Sequence, residues 1–208
     1  FDTIRPYYDA EMNPALRRIT AHPLFLKMLD FLFPGRDKSE IINMLNSLHT
    51  VYDFQIQFMH AVVYSIVNQT SKGLTSGGFE HLTPGTPYLF VSNHRDIVLD
   101  SAMLQVLLHD HGHATSEITF GDNLMYDQFI TDLGKVNRMF VVFRGGNRKE
   151  FLRNSQFLSY YIRHAITKKN VSVWIAQRNG RTKDGSDRTE SALLKMFNIS
   201  GDKDFMAS

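Results

Sequence analysis

Short apolar runs and longer helix-forming stretches alternate from residue 88 to residue 197, and this alternation restricts the fold more than any other feature. The strand-like runs are Tyr88–Ser92, Thr115–Phe120, Met139–Phe143 and Val171–Ala176. The helical stretches are Ile97–His109, Leu124–Leu133, Phe151–Lys168 and Glu190–Phe197. Strands that alternate with helices are typical of β-α-β units, in which helices cover a parallel sheet. The sequence therefore predicts an α/β fold with a mostly parallel central sheet flanked by helices.

The N-terminal third has a different pattern, that of helices without intervening strands. Apolar spacing predicts helices at Pro14–Phe33, Glu40–Leu48 and Tyr52–Val67. We therefore predict an N-terminal helical segment, residues 1–72, followed by an α/β domain, residues 73–208, that is incomplete at its C-terminus. Two interpretations of the third helix remain open: it packs on the domain, or it lies on a membrane surface.

The composition excludes several kinds of chemistry. The chain has no cysteine, which excludes disulfide bonds, thiolate zinc sites and a cysteinyl acyl-enzyme. The formal net charge of +2 is too small to indicate nucleic-acid binding. Basic residues still cluster at 144–153, 168–169 and 178–188, and such clusters suit phosphate groups, acidic carrier proteins or anionic membranes. The histidine-rich stretch 109–113 lacks zinc-site spacing, so we predict no metal.

A histidine follows the first strand-like run, and two carboxylates follow the histidine. His94 is the residue type best suited to accept a proton from a hydroxyl group near neutral pH. A nearby carboxylate can hold its imidazole in one tautomer. Asp96 stands at the expected helix N-cap, whereas Asp100 lies among apolar residues, where an unpaired charge is costly. Either aspartate can partner the histidine; we favour Asp100 as the partner and Asp96 as the cap.

Three segments resemble, in the same order, the motifs of the glycerolipid acyltransferases, the family of glycerol-3-phosphate and lysophosphatidic acid acyltransferases. Asn93–Asp100 resembles the first motif, Asn-His-x4-Asp. Phe140–Arg144 resembles the second motif, an apolar strand that ends in a substrate-binding arginine. Trp174–Gly185 resembles the third motif, Phe-Pro-Glu-Gly-Thr-Arg-Ser. The approach Gly77–Leu82 also resembles the family, so the resemblance covers residues 73–190.

The sequence departs from these motifs in identifiable places. Five residues rather than four separate His94 from Asp100. Asn179 stands where the third motif has its glutamate. The fourth motif, an apolar Val-x-Pro strand, is expected beyond Ser208.

The resemblance implies a function and a set of site residues. The chain would transfer a fatty acyl group from acyl-CoA or acyl carrier protein to a hydroxyl group of a glycerophosphate or lysophospholipid. His94 and Asp100 would form the general-base pair. The residues implied in substrate binding are Asn93, Arg95, Asp96, Arg144, Asn179, Gly180, Arg181 and Lys183. No cofactor or metal is expected, because a thiol is a good leaving group.

Two other functions remain open at this point. The same fold can act on a non-glycerol acceptor, such as an aminoacyl lipid, or can bind lipid or phosphate without catalysis. For the transferase we expect a peripheral location at the cytoplasmic face of the inner or plasma membrane. The expected partners are the thioester donor, acyl carrier protein among them, the phosphorylated acceptor and the membrane surface, and no nucleic acid.

Overall fold

The computed structural model describes residues 1–201, and the chain begins with a series of helices. They are α1 (Asp9–Ala21), α2 (Pro23–Leu32), α3 (Lys38–Ser47), α4 (Val51–Phe54) and α5 (His60–Thr70). A π-helical turn, Gln55–Met59, joins α4 to α5. The predicted N-terminal helical segment is therefore present.

The prediction of a single helix at Pro14–Phe33 is wrong, because the chain forms two helices there. His22 separates them with extended backbone angles, φ −79° and ψ 130°. A residue before proline is disfavoured in the helical conformation, which ends α1 ahead of Pro23. Pro23 then occupies the first position of α2, where its missing N–H has no helical partner to lose.

The third predicted helix packs against the rest of the protein. Phe54, Phe58, Val62 and Val67, which lie along α4, the π-helical turn and α5, are all buried. This agrees with the interpretation of a packed helix. Among residues 1–201, no helix combines the length and the apolar character needed to cross a membrane.

The second part of the chain contains a four-stranded parallel sheet. Its strands are β1 (Leu89–Ser92), β2 (Glu117–Gly121), β3 (Met139–Val142) and β4 (Val173–Ala176). Their order across the sheet is β1-β4-β2-β3, and each neighbouring pair is parallel. All runs predicted as strands form strands, and the predicted fold class is confirmed.

Further α-helices follow the strands along the chain. They are α6 (Leu99–Asp110), α7 (Gln128–Val136), α8 (Arg148–Thr167) and α9 (Ser191–Asn198). Helices α8 and α9 pack on the sheet through one apolar cluster. Its buried members are Ile4, Phe140, Val141, Tyr161, Ile162, Ala165, Val173, Ile175 and Met196.

Helix α7 attaches the N-terminal helices to the α/β part. Phe129 and Val136 of α7 belong to the same buried apolar cluster as residues of α1 to α5. The carboxylate of Asp132, also on α7, accepts hydrogen bonds from Tyr7 and from the guanidinium of Arg18 on α1. A polar contact thus crosses an otherwise apolar interface.

Parallel strands place all their carboxyl ends at one edge of the sheet, which we call the carboxyl edge. The loops that leave this edge are 93–98 after β1, 122–127 after β2, 143–147 after β3 and 177–190 after β4. The three motif-like segments lie on or next to three of these loops. Open α/β sheets usually bind their ligands at this edge.

Candidate active site

His94 lies in the loop after β1, beside a carboxylate at the start of α6. Its Nδ1 atom is 2.9 Å from Oδ2 of Asp100. On another side, the centroid of its ring is 6.0 Å from that of Trp174 on β4, edge to face. The side chain keeps 15% of its surface exposed. The imidazole is therefore held from two directions and still reaches solvent.

The Asp100 carboxylate also organises the loop that carries His94. Its Oδ2 atom accepts the backbone N–H groups of Arg95 at 2.6 Å and Asp96 at 3.0 Å. Residues 94–96 are non-helical, so their spacing is not fixed by helical geometry. The additional residue between His94 and Asp100 is accommodated in this loop.

Asp96 caps the turn that precedes α6. Its Oδ1 atom accepts the N–H groups of Leu99 and Val98, both at 2.8 Å. These two backbone hydrogen bonds lower the pKa of Asp96 below its usual range. Of the two candidate partners, the structure places Asp100 at the imidazole and Asp96 at the backbone.

The hydrogen bond to Asp100 leaves one nitrogen of His94 available for chemistry. A carboxylate only accepts, so Nδ1 carries the proton and Nε2 keeps its lone pair. Within residues 1–201, Nε2 of His94 has no hydrogen-bond partner. An imidazole nitrogen that keeps its lone pair opposite a carboxylate can accept a proton from a hydroxyl group.

The loop after β4 contacts the His94 loop through its backbone. The N–H of Thr182 donates to the carbonyl oxygen of His94 at 2.7 Å. Nearby, Nε2 of Gln177 donates to Oδ1 of Asn93 at 2.7 Å. Two segments separated by more than 80 positions in sequence are thus fixed against each other.

Asp187 is a residue of this site that the sequence analysis missed. Its Oδ2 atom accepts a hydrogen bond from Nδ2 of Asn93 at 2.8 Å and another from the guanidinium of Arg95. The bond from Arg95 lowers the pKa of Asp187 below its usual range. Asp187 lies 94 positions from Asn93, so no local pattern could indicate the contact. Arg95 is already bound by Asp187, and a ligand would have to compete for it.

Arg144 lies in the loop after β3. In the sheet, β3 is three strand spacings, or roughly 14 Å, from β1, which precedes His94. Its side chain nevertheless extends over the end of β2. A Cβ atom added to Gly121 would lie 2.8 Å from Nε of Arg144. Asp122 accepts the backbone N–H of Arg144 at 3.1 Å and fixes the loop. The guanidinium therefore points toward the centre of the carboxyl edge, and Gly121 makes room for it.

A cavity of about 260 Å³ opens beside Arg144. Its apolar lining comes from β3 and the residue after it, and from β4, α8 and α9. Those residues are Val142, Phe143, Phe151, Leu158, Ile175, Ala176, Ala192, Leu193 and Met196. Arg144, Arg178, Asn179 and Glu190 are among its polar lining residues. An apolar interior with cations beside it suits an anionic amphiphile.

The remaining predicted site residues lie in the loop after β4. The N–H of Asn179 donates to Oε1 of Glu190 at 3.1 Å. Gly180 has a φ of +73°, and an added Cβ would meet nothing within 4 Å. The turn itself therefore accounts for the glycine. Arg181 and Lys183 are exposed and form no ion pair within the described residues.

A second histidine–carboxylate pair lies at the opposite end of α6. Nε2 of His60 is 2.8 Å from Oδ1 of Asp110, and the hydroxyl of Tyr64 donates to the same carboxylate at 2.5 Å. In residues 1–201, no group of three or more histidine, aspartate or glutamate side chains could hold a metal ion.

Comparisons with known proteins complete the description of the site. A model of the family described as Acyltransferase matches residues 74–192. No curated protein matches the chain. Among solved structures, the chain is similar to the crystal structure of the 1-acyl-sn-glycerophosphate (LPA) acyltransferase, PlsC, from Thermotoga maritima. The TM-score is 0.48 at 15% sequence identity, with 91% of this chain and 70% of that chain covered. The range matched by the family includes His94, Asp100, Arg144 and the loop after β4.

Proposed function

Because this chain belongs to the Acyltransferase family, we propose that it transfers a fatty acyl group from an acyl thioester to a hydroxyl group of a glycerophosphate or lysophospholipid. The donor is acyl-CoA or acyl carrier protein. The observation that supports the proposal most directly is the pairing of His94 with Asp100 at 2.9 Å at the carboxyl edge, with no partner for Nε2 among residues 1–201.

In the proposed mechanism, Nε2 of His94 takes the proton of the acceptor hydroxyl as the oxygen attacks the thioester carbonyl. A tetrahedral oxyanion forms and collapses, which breaks the carbon–sulfur bond. The proton on His94 then passes to the departing sulfur, so the products are an ester and a thiol. Asp100 stabilises the imidazolium that exists between these two steps.

The acceptor headgroup and the acyl chain have separate places in this proposal. Arg144, Arg181 and Lys183 hold the phosphate, since arginine pairs with phosphate bidentately and lysine as a point charge. Asn93, Arg95 and Asp96 shape the loop that carries His94. Asn179 and Gly180 form the turn beside Arg181. The apolar cavity beside Arg144 accommodates hydrocarbon.

The test is thiol release from long-chain acyl-CoA and from acyl carrier protein, each with and without glycerol-3-phosphate or lysophosphatidic acid. We expect acceptor-dependent release with one donor, and its loss by a factor of about 10²–10⁴ in His94→Ala. An aminoacyl lipid acceptor is a further arm. Failure of every donor–acceptor pair would favour a domain that binds lipid or phosphate without catalysis.

A matched control comes from the second histidine–carboxylate pair. His60 bonds Asp110 at 2.8 Å, almost the distance found between His94 and Asp100. It lies at the opposite end of α6, away from the carboxyl edge. His60→Ala should therefore keep thiol release within about twofold of the unsubstituted chain. Equal losses in the two variants would contradict the assignment of the base.

A further inference from the structure

The only tryptophan of the chain lies in β4, beside the imidazole of His94. Trp174 pairs in register with Phe90 of β1 and with Ile118 of β2, and 4% of its surface is exposed. A buried tryptophan needs an acceptor for its indole N–H, whereas an aliphatic side chain at the same position would need none. The acceptor that the indole finds therefore shows whether the residue does more than fill the core.

That acceptor lies at the end of β1, where the His94 loop begins. Nε1 of Trp174 donates to Oγ of Ser92 at 2.9 Å. The hydroxyl of Ser92 donates in turn to the carbonyl oxygen of Asn93, also at 2.9 Å. Asn93 directly precedes His94. The orientation of the indole is thus tied to the backbone that carries the imidazole.

The imidazole of His94 contacts two groups of different kinds. Its Nδ1 atom is 2.9 Å from Oδ2 of Asp100, and its plane is inclined by 72° to that of Trp174 at a centroid distance of 6.0 Å. One hydrogen bond fixes the position of one ring atom, but the ring can still pivot about that bond. An aromatic ring held edge to face restricts this pivot. Asp100 and Trp174 together therefore fix the direction of Nε2.

We propose that Trp174 is a positioning residue for His94: its indole fixes the plane of the imidazole, and the hydroxyl of Ser92 keeps the indole in place. The inference rests on the proposed function, because it assigns a role in the same proton transfer. Nε2 must lie within about 2.6–3.2 Å of the acceptor hydroxyl. A misplacement of about 1 Å can lower the rate by a factor of about 10².

The main chain around His94 is fixed by other groups, so the role of the indole is confined to the side chain. The N–H of Thr182 donates to the His94 carbonyl at 2.7 Å. Asp100 accepts the N–H groups of Arg95 and Asp96. These bonds hold the loop but do not restrict rotation about the side-chain bonds of His94. Removal of the indole should therefore release the ring without releasing the loop.

The first experiment is steady-state thiol release by Trp174→Leu. Leucine keeps an apolar side chain in the core but removes the aromatic ring and its N–H. We expect kcat per folded molecule to fall by about 10–100-fold, because the base is misplaced. The KM for acyl-CoA should stay within about twofold, because the substrate contacts remain.

Phe90→Leu is the matched control. Phe90 is the register partner of Trp174 on β1, so the two side chains lie on the same face of the sheet. The ring of Phe90 lies 6.0 Å from that of Tyr88, at the end of β1 away from His94. Phe90→Leu should lower the urea midpoint, as the loss of a core aromatic ring does, and keep kcat within about twofold.

Two milder variants test the anchor, and they remain informative if Trp174→Leu fails to fold. Trp174→Phe keeps an aromatic ring without a donor, and Ser92→Ala keeps the indole without its acceptor. Each should lower kcat by about two- to tenfold. Both remove the same hydrogen bond, so the double variant should lose no more than the larger of the two single losses. Losses that multiply would overturn the role assigned to Ser92.

The fluorescence of the single tryptophan provides a measurement without turnover. An imidazolium quenches the emission of an adjacent indole more strongly than a neutral imidazole does. The emission of the unsubstituted chain should therefore fall from about pH 8 to 5, the range in which histidine gains its charge. The charged groups near His94 include Asp96, Asp100 and Arg181. His94→Gln keeps these groups and should remove the pH dependence.

Several results would overturn the proposal. They are a kcat of Trp174→Leu within about twofold of the unsubstituted value, an equal loss of kcat in Phe90→Leu, or emission that keeps its pH dependence in His94→Gln. Fluorescence needs neither donor nor acceptor, so it succeeds or fails independently of thiol release. If no donor–acceptor pair reacts, the proposed function fails, and the titration still shows whether the indole contacts the imidazole.

Discussion

Asp132 and Asp100 are both carboxylates that accept several hydrogen bonds, but their surroundings differ. The side chain of Asp132 is fully buried, and it receives bonds from Arg18, Tyr7 and Gln128. The side chain of Asp100 is 18% exposed and binds His94 and two backbone N–H groups. The first cluster joins α1 to α7, whereas the second lies at an open edge.

The contrast is between a carboxylate whose partners fix the packing of two helices and one that we propose to assist chemistry. Around Asp132, Tyr7 and Arg18 direct their polar groups at the carboxylate. Beside Asp100, the Nε2 atom of His94 has no partner in the part of the chain that the structure describes. The buried side-chain atoms without a hydrogen-bond partner in residues 1–201 are Arg178 Nε, Thr182 Oγ1 and Asp187 Oδ1. All three lie in the loop after β4, the loop that also carries Arg181 and Lys183.

The largest expected effect is on catalysis, and it comes from Asp100→Asn. The amide can hold the imidazole in the wrong tautomer, with the proton on Nε2, which removes the base. We expect kcat to fall by about 10²–10⁴, with little change in the midpoint of urea unfolding. The contrast between Asp100 and Asp132 would be contradicted if Asp100→Asn unfolded at a lower urea concentration than Asp132→Asn.

The next effect is on stability, and it comes from Asp132→Asn. The substitution replaces a buried charge that Arg18 and Tyr7 bind, and leaves those donors incompletely paired. We expect the free energy of unfolding to fall by about 2–4 kcal/mol in urea titrations. Per folded molecule, kcat should be unchanged. A loss of kcat without a loss of stability would assign Asp132 to the site instead.

The same variant sharpens the comparison through the pH dependence of its stability. Burial by itself would raise the pKa of Asp132, but the bonds from Arg18, Tyr7 and Gln128 lower it below its usual range. The unfolded chain therefore binds more protons in acid, and the stabilisation that the ionised Asp132 provides is lost as pH falls below about 4.

Tyr7, which donates to Asp132, affects stability in base. Burial and Asp132 raise the pKa of Tyr7 to about 12. Its stabilisation is lost as pH rises above about 10. In Asp132→Asn, the free energy of unfolding should therefore depend less on pH, both below about 4 and above about 10.

The smallest effect is expected from Asp187→Asn. An amide oxygen can still accept from Asn93 and Arg95, but without the charge that strengthens the bond to the guanidinium. The contacts of Asn93 and Arg95 with position 187 then weaken, while the backbone bond from Thr182 to the carbonyl oxygen of His94 remains. We expect kcat to fall by less than about tenfold, with KM for the thioester unchanged. A purely structural residue would lower the unfolding midpoint and leave kcat intact, and that outcome would remove Asp187 from the site.

Local patterns were enough to predict the sheet, its helices and the segment around His94, because strand and helix periodicity and a histidine–aspartate motif are short-range features. Contacts between distant positions were not predictable in this way. Asp187 and Gln177 become part of the site only when β1 and β4 pair, and Gly121 matters only because Arg144 crosses β2. Pro23 was a sufficient signal for the helix break at His22. The apolar spacing continues from α1 into α2, however, and it favoured the prediction of a single helix.

The bond from the Thr182 N–H to the His94 carbonyl has a consequence for how the protein can diversify. It joins two main-chain groups, so exposed side chains of the loop after β4 can vary without removing it, provided that the turn at Gly180 is kept. Arg181 and Lys183, which we propose to hold the headgroup, can therefore be exchanged while this bond to the His94 loop is kept. Substitutions at these two positions would alter part of the proposed headgroup contact without removing the backbone bond to His94, while Arg144 would remain on the loop after β3.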